Sequence, residues 1–233
     1  MKKKINLFLK NNIFIGLIPA KGTSQSIKKK NLRKVKGKSL IDIVIENSKK
    51  SKFLTEIYLT SENYGILKNA KKKNVQIINR PKKLSKINSK MIDVIKHAIK
   101  FIHTKKKNIF IVLLQPTSPF RTFRHIDNAI EKMIINNKKS LISLKKNKIC
   151  IFKSLKVEKL QIRPIFSNKF LSNNRQYFPD TYIPNGAIYI FPLNSIKNKT
   201  NTLISKTFMP FVMNNKDSID IDNFEDLINA NKK

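Results

Sequence analysis

The chain has 233 residues, the length of one large domain, and carries 49 Lys and Arg against 14 Asp and Glu, for a formal net charge of +35. That balance would suggest nucleic acid or an anionic membrane, but the excess is mostly Lys spread from Lys2 to Lys233, with abundant Ile and Asn and little Gly, the mark of an AT-rich coding bias rather than of a specific nucleic-acid partner. Cys150 is the single cysteine, which excludes an internal disulfide and a multi-cysteine metal site and points to a reducing, cytoplasmic compartment, while the lack of any run of about 18 apolar residues argues against membrane insertion.

The opening MKKKINLFLKNNIFIGLIPAKG imitates a secretion signal. Lys10, Asn11 and Asn12 interrupt its apolar part, and Lys21 follows Ala20 where a cleavage site needs small residues, so it reads as a tail entering a strand. Residues 13–18, IFIGLI, form a continuous apolar run, the pattern of a strand buried on both faces. SLIDIVIENSKKS (39–51) carries apolar side chains at 40, 41, 44 and 45, which is helical spacing, and EIYLTSE (56–62) returns to strand composition. ENYGILKNAKKKN is helical again, VQIINRP extended, SKMIDVIKHAIKFIH helical, and NIFIVLLQPTSPFR holds the strongest buried strand. This alternation predicts an α/β fold, an open sheet with helices on both faces.

Past residue 140 short strand-like pieces, SLISL, ICIFKSL and AIYIF, alternate with polar loops, and SIDIDNFEDLINANKK closes the chain as a strand running into a helix with Asp222 or Asn223 as N-cap. No repeat or linker is visible, so residues 1–233 read as a single domain.

Ligands of such a sheet sit beyond the carboxyl ends of its strands. There IPAKGTSQSIKKKN (18–31) offers Gly22 for close backbone approach to a phosphate, Ser24 as a hydroxyl donor, and Lys21 and Lys30 as cations for a triphosphate; the plain alternative is a solvated lysine-rich turn. In SIDID, strand alternation puts Ile219 and Ile221 on one face and Asp220 and Asp222 on the other. Paired carboxylates repel unless a cation sits between them, and Mg²⁺ suits one or two carboxylates plus phosphate oxygens; an acidic helix-capping turn is the alternative. LLQPTSPFR presents Gln115 where the sheet opens, or else a turn set by Pro119 with Arg121 solvated. In NRQYFPDTYIPNGAIYIF (174–191) a core strand after an Asn-Gly turn explains much, while Arg175 could bind a carboxylate. His97, His103 and His125 show no metal spacing and read as surface or packing residues, and Cys150 as a core residue.

With these blocks in order, the chain resembles the acylneuraminate cytidylyltransferase family, the CMP-sialic acid synthetases and their relatives acting on legionaminic and pseudaminic acids, over about residues 13–230. The opening loop corresponds to the family form IPARGGSKGIPRKN, and NRP (79–81), LLQPTSPFR (113–121), NRQYFPDTYIPNGAIYI (174–190) and SIDIDNFEDL (218–227) follow in family order. The resemblance implies a Rossmann-like nucleotide-diphospho-sugar transferase fold with a mostly parallel sheet, and a homodimer formed through a small β-rich arm at about residues 142–180.

Chemically, it implies that the anomeric hydroxyl of a nine-carbon 2-keto sugar acid attacks the α-phosphate of CTP, with Mg²⁺ stabilising the developing charge, in surface glycan synthesis. Lys21, Lys30 and Asn31 fall on nucleotide-loop positions and Arg80 on a further CTP-side position; Gln115, Arg175, Asn185 and Tyr189 fall on sugar-side positions, and Asp220 and Asp222 on the metal positions. The departures lie in the loop: Lys21 replaces an arginine, Thr23 and Ser26 replace glycines, Gln25 a lysine and Lys28 a proline. Thr23 and Ser26 would be strained wherever the backbone needs positive φ. Rival readings are a cytidylyltransferase for the eight-carbon sugar Kdo, a catalytically idle nucleotide-binding homologue, and a charge-driven nucleic-acid binder.

Overall fold

The computed structural model describes residues 1–103, 108–197 and 207–233. Helix α1 (Lys2–Asn11) leads into β1 (Asn12–Pro19), a short ribbon β2 (Lys34–Val35) and β3 (Lys38–Ser39), then α2 (Leu40–Lys50), β4 (Leu54–Ser61), α3 (Tyr64–Lys72), β5 (Gln76–Asn79), α4 (Met91–Ala98) and β6 (Asn108–Leu113). The second part comprises α5 (Phe123–Ile135), β7 (Leu141–Lys146), a ribbon of β8 (Leu155–Glu158) and β9 (Gln161–Pro164), α6 (Asn168–Ser172), β10 (Tyr182–Pro192), α7 (Leu193–Lys197), β11 (Met209–Val212) and α8 (Phe224–Lys232).

Seven strands form one sheet in the order β11-β7-β10-β6-β1-β4-β5. Neighbours are parallel except where β10 pairs with β6 and β7, so β10 runs against the rest. The chain winds outward from β1 through β4 to β5, then returns to lay β6 on the other side of β1. The reversal opens a crevice beyond the carboxyl ends of β1 and β6, the usual ligand seat of such sheets.

Strand alternation divides β1 between two cores. Phe14 and Ile18 join the apolar side chains of α1, α2, α3 and α5 on one face, and Ile13, Ile15 and Leu17 join those of α4 and α7 on the other. Helices therefore cover both faces, as the alternating pattern predicts. Leu40, Ile41, Val44 and Ile45 of α2 are all buried, and Ser39 caps the helix by accepting from the Asp42 amide. Full burial of Phe14 makes it a core anchor whose truncation to Ala would cost about 3–5 kcal/mol.

Several local expectations change. Residues 2–11 of the tail entering β1 form a helix, because Ile5, Phe8 and Leu9 share one face and dock on the sheet; the Phe8 ring lies 5.5 Å from that of Phe110. ICIF closes into a 3-10 turn over Ile151–Lys153, and Cys150 is half-buried rather than core. SIDID forms no strand: the Ser218 amide turns back to the Asn215 carbonyl (3.2 Å), and the Ile221 amide donates to the Thr117 carbonyl (2.8 Å). The Asn-Gly pair is a kink inside β10, with Gly186 at φ +73° and the register slipping between Pro184 and Tyr189. Residues 142–146 of the expected arm belong to β7 in the main sheet, and what protrudes beyond them is the β8–β9 ribbon.

Candidate active site

The loop after β1 is held from below. Asn31 is buried and its Nδ2 donates to the Lys21 carbonyl (2.8 Å), while Ile27 packs with Val35, Leu40, Ile221 and Leu227. Lys29, at φ 56°, takes the left-handed turn before the 3-10 turn Lys30–Leu32. Thr23 and Ser26 have no positive φ, so their replacement of glycine carries no backbone strain. Gly22 is needed for another reason: a Cβ there would lie 2.5 Å from Asn63 Cβ. Its amide donates to Glu62 Oε1 (2.7 Å), so this N–H is committed within the protein rather than offered to a phosphate.

Glu62, just past β4, also accepts from Arg80 (2.9 Å) and Ser85 (2.6 Å) through Oε2. Burial pushes its carboxyl up, but the bonds from Ser85, Arg80 and the backbone more than offset this and hold it below the usual carboxylate value. Arg80 is 4 % exposed, and its Nε has no hydrogen-bond partner among the described residues.

Beyond β6, Arg121 is fully buried rather than solvated, and one guanidinium nitrogen donates to the carbonyls of Gln115 (2.9 Å) and Ala187 (3.0 Å). Burial pulls it down to about 9, against the attraction of Asp220. Asp220 is itself raised, by burial foremost and by the charge of Asp222, with Thr117 and Lys30 opposing. Its Oδ1 is buried without a hydrogen-bond partner, and Gly186 clears the space beside it, since a Cβ there would stand 3.1 Å from Oδ2. Asp222 is exposed and pairs with Lys30 (3.2 Å). Asn223, not Asp222, caps α8, accepting from the Asp226 amide. Ile219 and Ile221 do share an apolar cluster. The two aspartates line different cavities, Asp222 one of about 270 Å³ and Asp220 one of about 390 Å³ beside Lys145 and Ser218.

The 270 Å³ cavity lies at the β1/β6 crevice and gathers Lys21, Ser24, Lys30, Asn31, Arg80, Gln115 and Asp222. A second opening of about 480 Å³ continues from Lys21 and Ser24 to Lys86 and Asn88. Three sugar-side candidates stand elsewhere. Asn185 is buried, accepting from Ser143 (2.6 Å) and donating to Ser218 (2.9 Å), so its side chain braces β10. Tyr189 is a core residue opposite Leu113, its hydroxyl raised by burial and then by Asp220. Arg175, on a 3-10 turn, lines a separate cavity of about 340 Å³ with Lys146 and Phe178. His97 packs on Phe101 at 5.0 Å and His125 accepts from the Thr122 amide at the start of α5, both packing roles.

Sequence reasoning missed Glu62 and the burial of Arg121. Glu62 meets Gly22, Arg80 and Ser85 from other segments, and Arg121 reaches Ala187, 66 residues on, contacts for which no local pattern exists; the scarcity of acidic residues was the one available signal for Glu62.

A doubly wound sheet with a cation-lined crevice at its switch point defines an α/β protein of Rossmann-like fold with a seat for an anionic ligand. A family model described as cytidylyltransferase matches residues 15–164, and the chain belongs to the cytidylyltransferase family, on the acylneuraminate branch. It is 29% identical over 223 residues to the N-acylneuraminate cytidylyltransferase of Escherichia coli O18:K1:H7, covering 89% of this chain and 49% of that protein. It is 26% identical over 213 residues to the pseudaminic acid cytidylyltransferase of Campylobacter jejuni, covering 91% of each. The chain thus spans about half the length of the N-acylneuraminate relatives it matches. In fold it is similar to a CMP:2-keto-3-deoxy-manno-octonic acid synthetase solved with CTP, with a TM-score of 0.67 at 12% identity over 94% of this chain and 97% of that one.

Proposed function

We propose that this chain transfers CMP from CTP to the anomeric hydroxyl of a nine-carbon 2-keto sugar acid of the sialic, legionaminic or pseudaminic type, releasing pyrophosphate. The observation that carries this reading is the convergence of Lys21, Lys30, Arg80, Gln115 and Asp222 on one cavity at the switch point of the sheet. The names of two relatives, which specify N-acylneuraminate and pseudaminic acid, support the acceptor class.

In this reading Lys21, Lys30 and Arg80 neutralise the triphosphate, Ser24 adds a hydroxyl donor, Asn31 and Gly22 hold the loop, and Gln115 faces the sugar. The anomeric oxygen forms its bond to the α-phosphorus as the bond to the bridging oxygen breaks, the electron pair leaves on pyrophosphate, and the hydroxyl proton passes to solvent water. Fixed cations stabilise the charge that builds on the leaving group without reorganising. Asn185 and Tyr189 shape the floor of the sugar site from within β10, and Arg175 serves the sugar carboxylate of the neighbouring subunit from the arm.

Asp220 and Asp222 would hold Mg²⁺. The fit rests on the partnerless Oδ1 of Asp220 and the exposed carboxylate of Asp222, since Mg²⁺ takes one or two carboxylates and completes its shell with phosphate oxygens and water. When bound, the ion supplies charge stabilisation to the α-phosphate and the departing pyrophosphate. The β8–β9 ribbon, with Val157, Leu160 and Ile162 exposed, is the proposed dimer contact. No helix among the described residues is long and apolar enough to cross a membrane, and we place the activity in the cytoplasm, in surface polysaccharide synthesis.

The test is pyrophosphate release from CTP and Mg²⁺ against a panel of nonulosonic acids and Kdo. Turnover with a nonulosonic acid is expected; turnover with Kdo alone, or none with any acid, overturns the reading.

A further inference from the structure

We propose that Glu62 is a positioning residue for the nucleotide site, an anion that ties the β1 loop to Arg80 and sets both in place for a triphosphate; this rests on the cytidylyltransferase reading above. Glu62 lines neither of the cavities that Lys21 joins. Its side chain is 9% exposed, yet its two oxygens bind three separate parts of the cavity wall. Oε1 takes the Gly22 amide (2.7 Å), which fixes the loop next to Lys21. Oε2 takes Arg80 (2.9 Å), at the end of β5, and Ser85 (2.6 Å), on the turn leading to α4.

A site assembled from cations needs such an anchor. Lys21, Lys30, Arg80 and Lys86 surround the cavity and repel one another when no phosphate is present. A buried carboxylate between two of the loops holds them against that repulsion. It also fixes one end of the Arg80 guanidinium, so that its position is set before nucleotide arrives. The contact between Gly22 and Asn63 closes the same junction by shape: no side chain fits at 22 while the loop lies this close to the end of β4. Charge and packing thus hold the loop at one point, and Glu62 supplies the charge.

Glu62→Gln keeps the shape and removes the charge. The expected result is faster amide hydrogen exchange over residues 20–31 in the ligand-free protein, and a KM for CTP raised about tenfold or more, the scale of a lost charge-assisted bond, with the KM for the sugar acid changed less than about twofold. Ser85→Ala, which removes one donor and leaves the carboxylate, keeps the question open to measurement should Glu62→Gln fold poorly, and is expected to move the same two readouts in the same direction by less. An unchanged KM for CTP, or equal rises in both KM values, would overturn the positioning role. The ratio of variant to wild type tests Glu62, whereas the wild type's own turnover of CTP tests the underlying reading, so the two failures are distinguishable.

Discussion

The Lys30 ammonium stands 3.2 Å from Asp222 Oδ1 and donates to the Ile221 carbonyl at 2.8 Å, joining the loop after β1 to a segment 191 residues further along the chain. Lys30 is nearly enclosed, with its side chain 12% exposed, and Asp222 is not, at 75%. An ion pair so open to solvent is worth about 0–1 kcal/mol, so its consequence is geometric: the carboxylate is delivered to the edge of the phosphate cavity.

Asp222→Asn is therefore expected to lower turnover by roughly 100-fold or more, the scale of losing one preorganised electrostatic group, while urea unfolding shifts by less than about 1 kcal/mol. Wild-type pyrophosphate release by this variant at limiting Mg²⁺ would remove Asp222 from the metal site.

Gly22→Ala forces a Cβ to within 2.5 Å of Asn63 Cβ, so the loop must move. A higher KM for CTP should follow, and Asn63→Gly should restore part of it by deleting the opposing Cβ. Asn63 caps α3 by accepting from the Ile66 amide, and a glycine there costs only a few tenths of a kcal/mol. A double variant no better than Gly22→Ala in steady-state kinetics would show that the clash is not what matters.

Arg121→Ala should destabilise the fold by about 3 kcal/mol or more, because it empties the space of a fully buried side chain and leaves the Gln115 and Ala187 carbonyls without their donor. Arg121→Lys keeps the charge and should recover part of this loss. Equilibrium denaturation of the two variants decides it, and equal stability of Arg121→Ala and wild type would count against a stabilising role for these buried bonds.

The contribution of Glu62 should depend on pH in a defined direction. Its folded-state pKa lies below the ordinary value of 4.5, so its stabilisation is complete above that pH and is lost as pH falls through the folded value. The stability gap between wild type and Glu62→Gln should therefore be full at pH 7 and shrink below pH 4.5. A gap that widened on acidification, followed by thermal melts across that range, would contradict the assigned hydrogen bonds.

The alternation of apolar runs determined the sheet and its covering helices, because period-2 and period-3.6 patterns are local properties of the chain. Ile13 to Ile18 could only be a doubly buried strand, and Leu40, Ile41, Val44 and Ile45 could only share one helix face. The same order of motifs was enough to bring Lys21, Lys30, Arg80, Gln115 and Asp222 to one place, since loops at the carboxyl ends of parallel strands converge by topology. What the fold alone decided was environment. Arg121, solvated in one of the two readings of its turn, is fully buried; Asn185, which the family resemblance put on the sugar side, braces β10; Asp220 and Asp222, which strand alternation put on one face, differ, one enclosed and one open. Glu62 meets Gly22 across 40 residues and Arg80 across 18. Whether a charge is hydrated, paired or buried depends on what the rest of the chain lays over it, and that covering is a property of tertiary packing that no local pattern records.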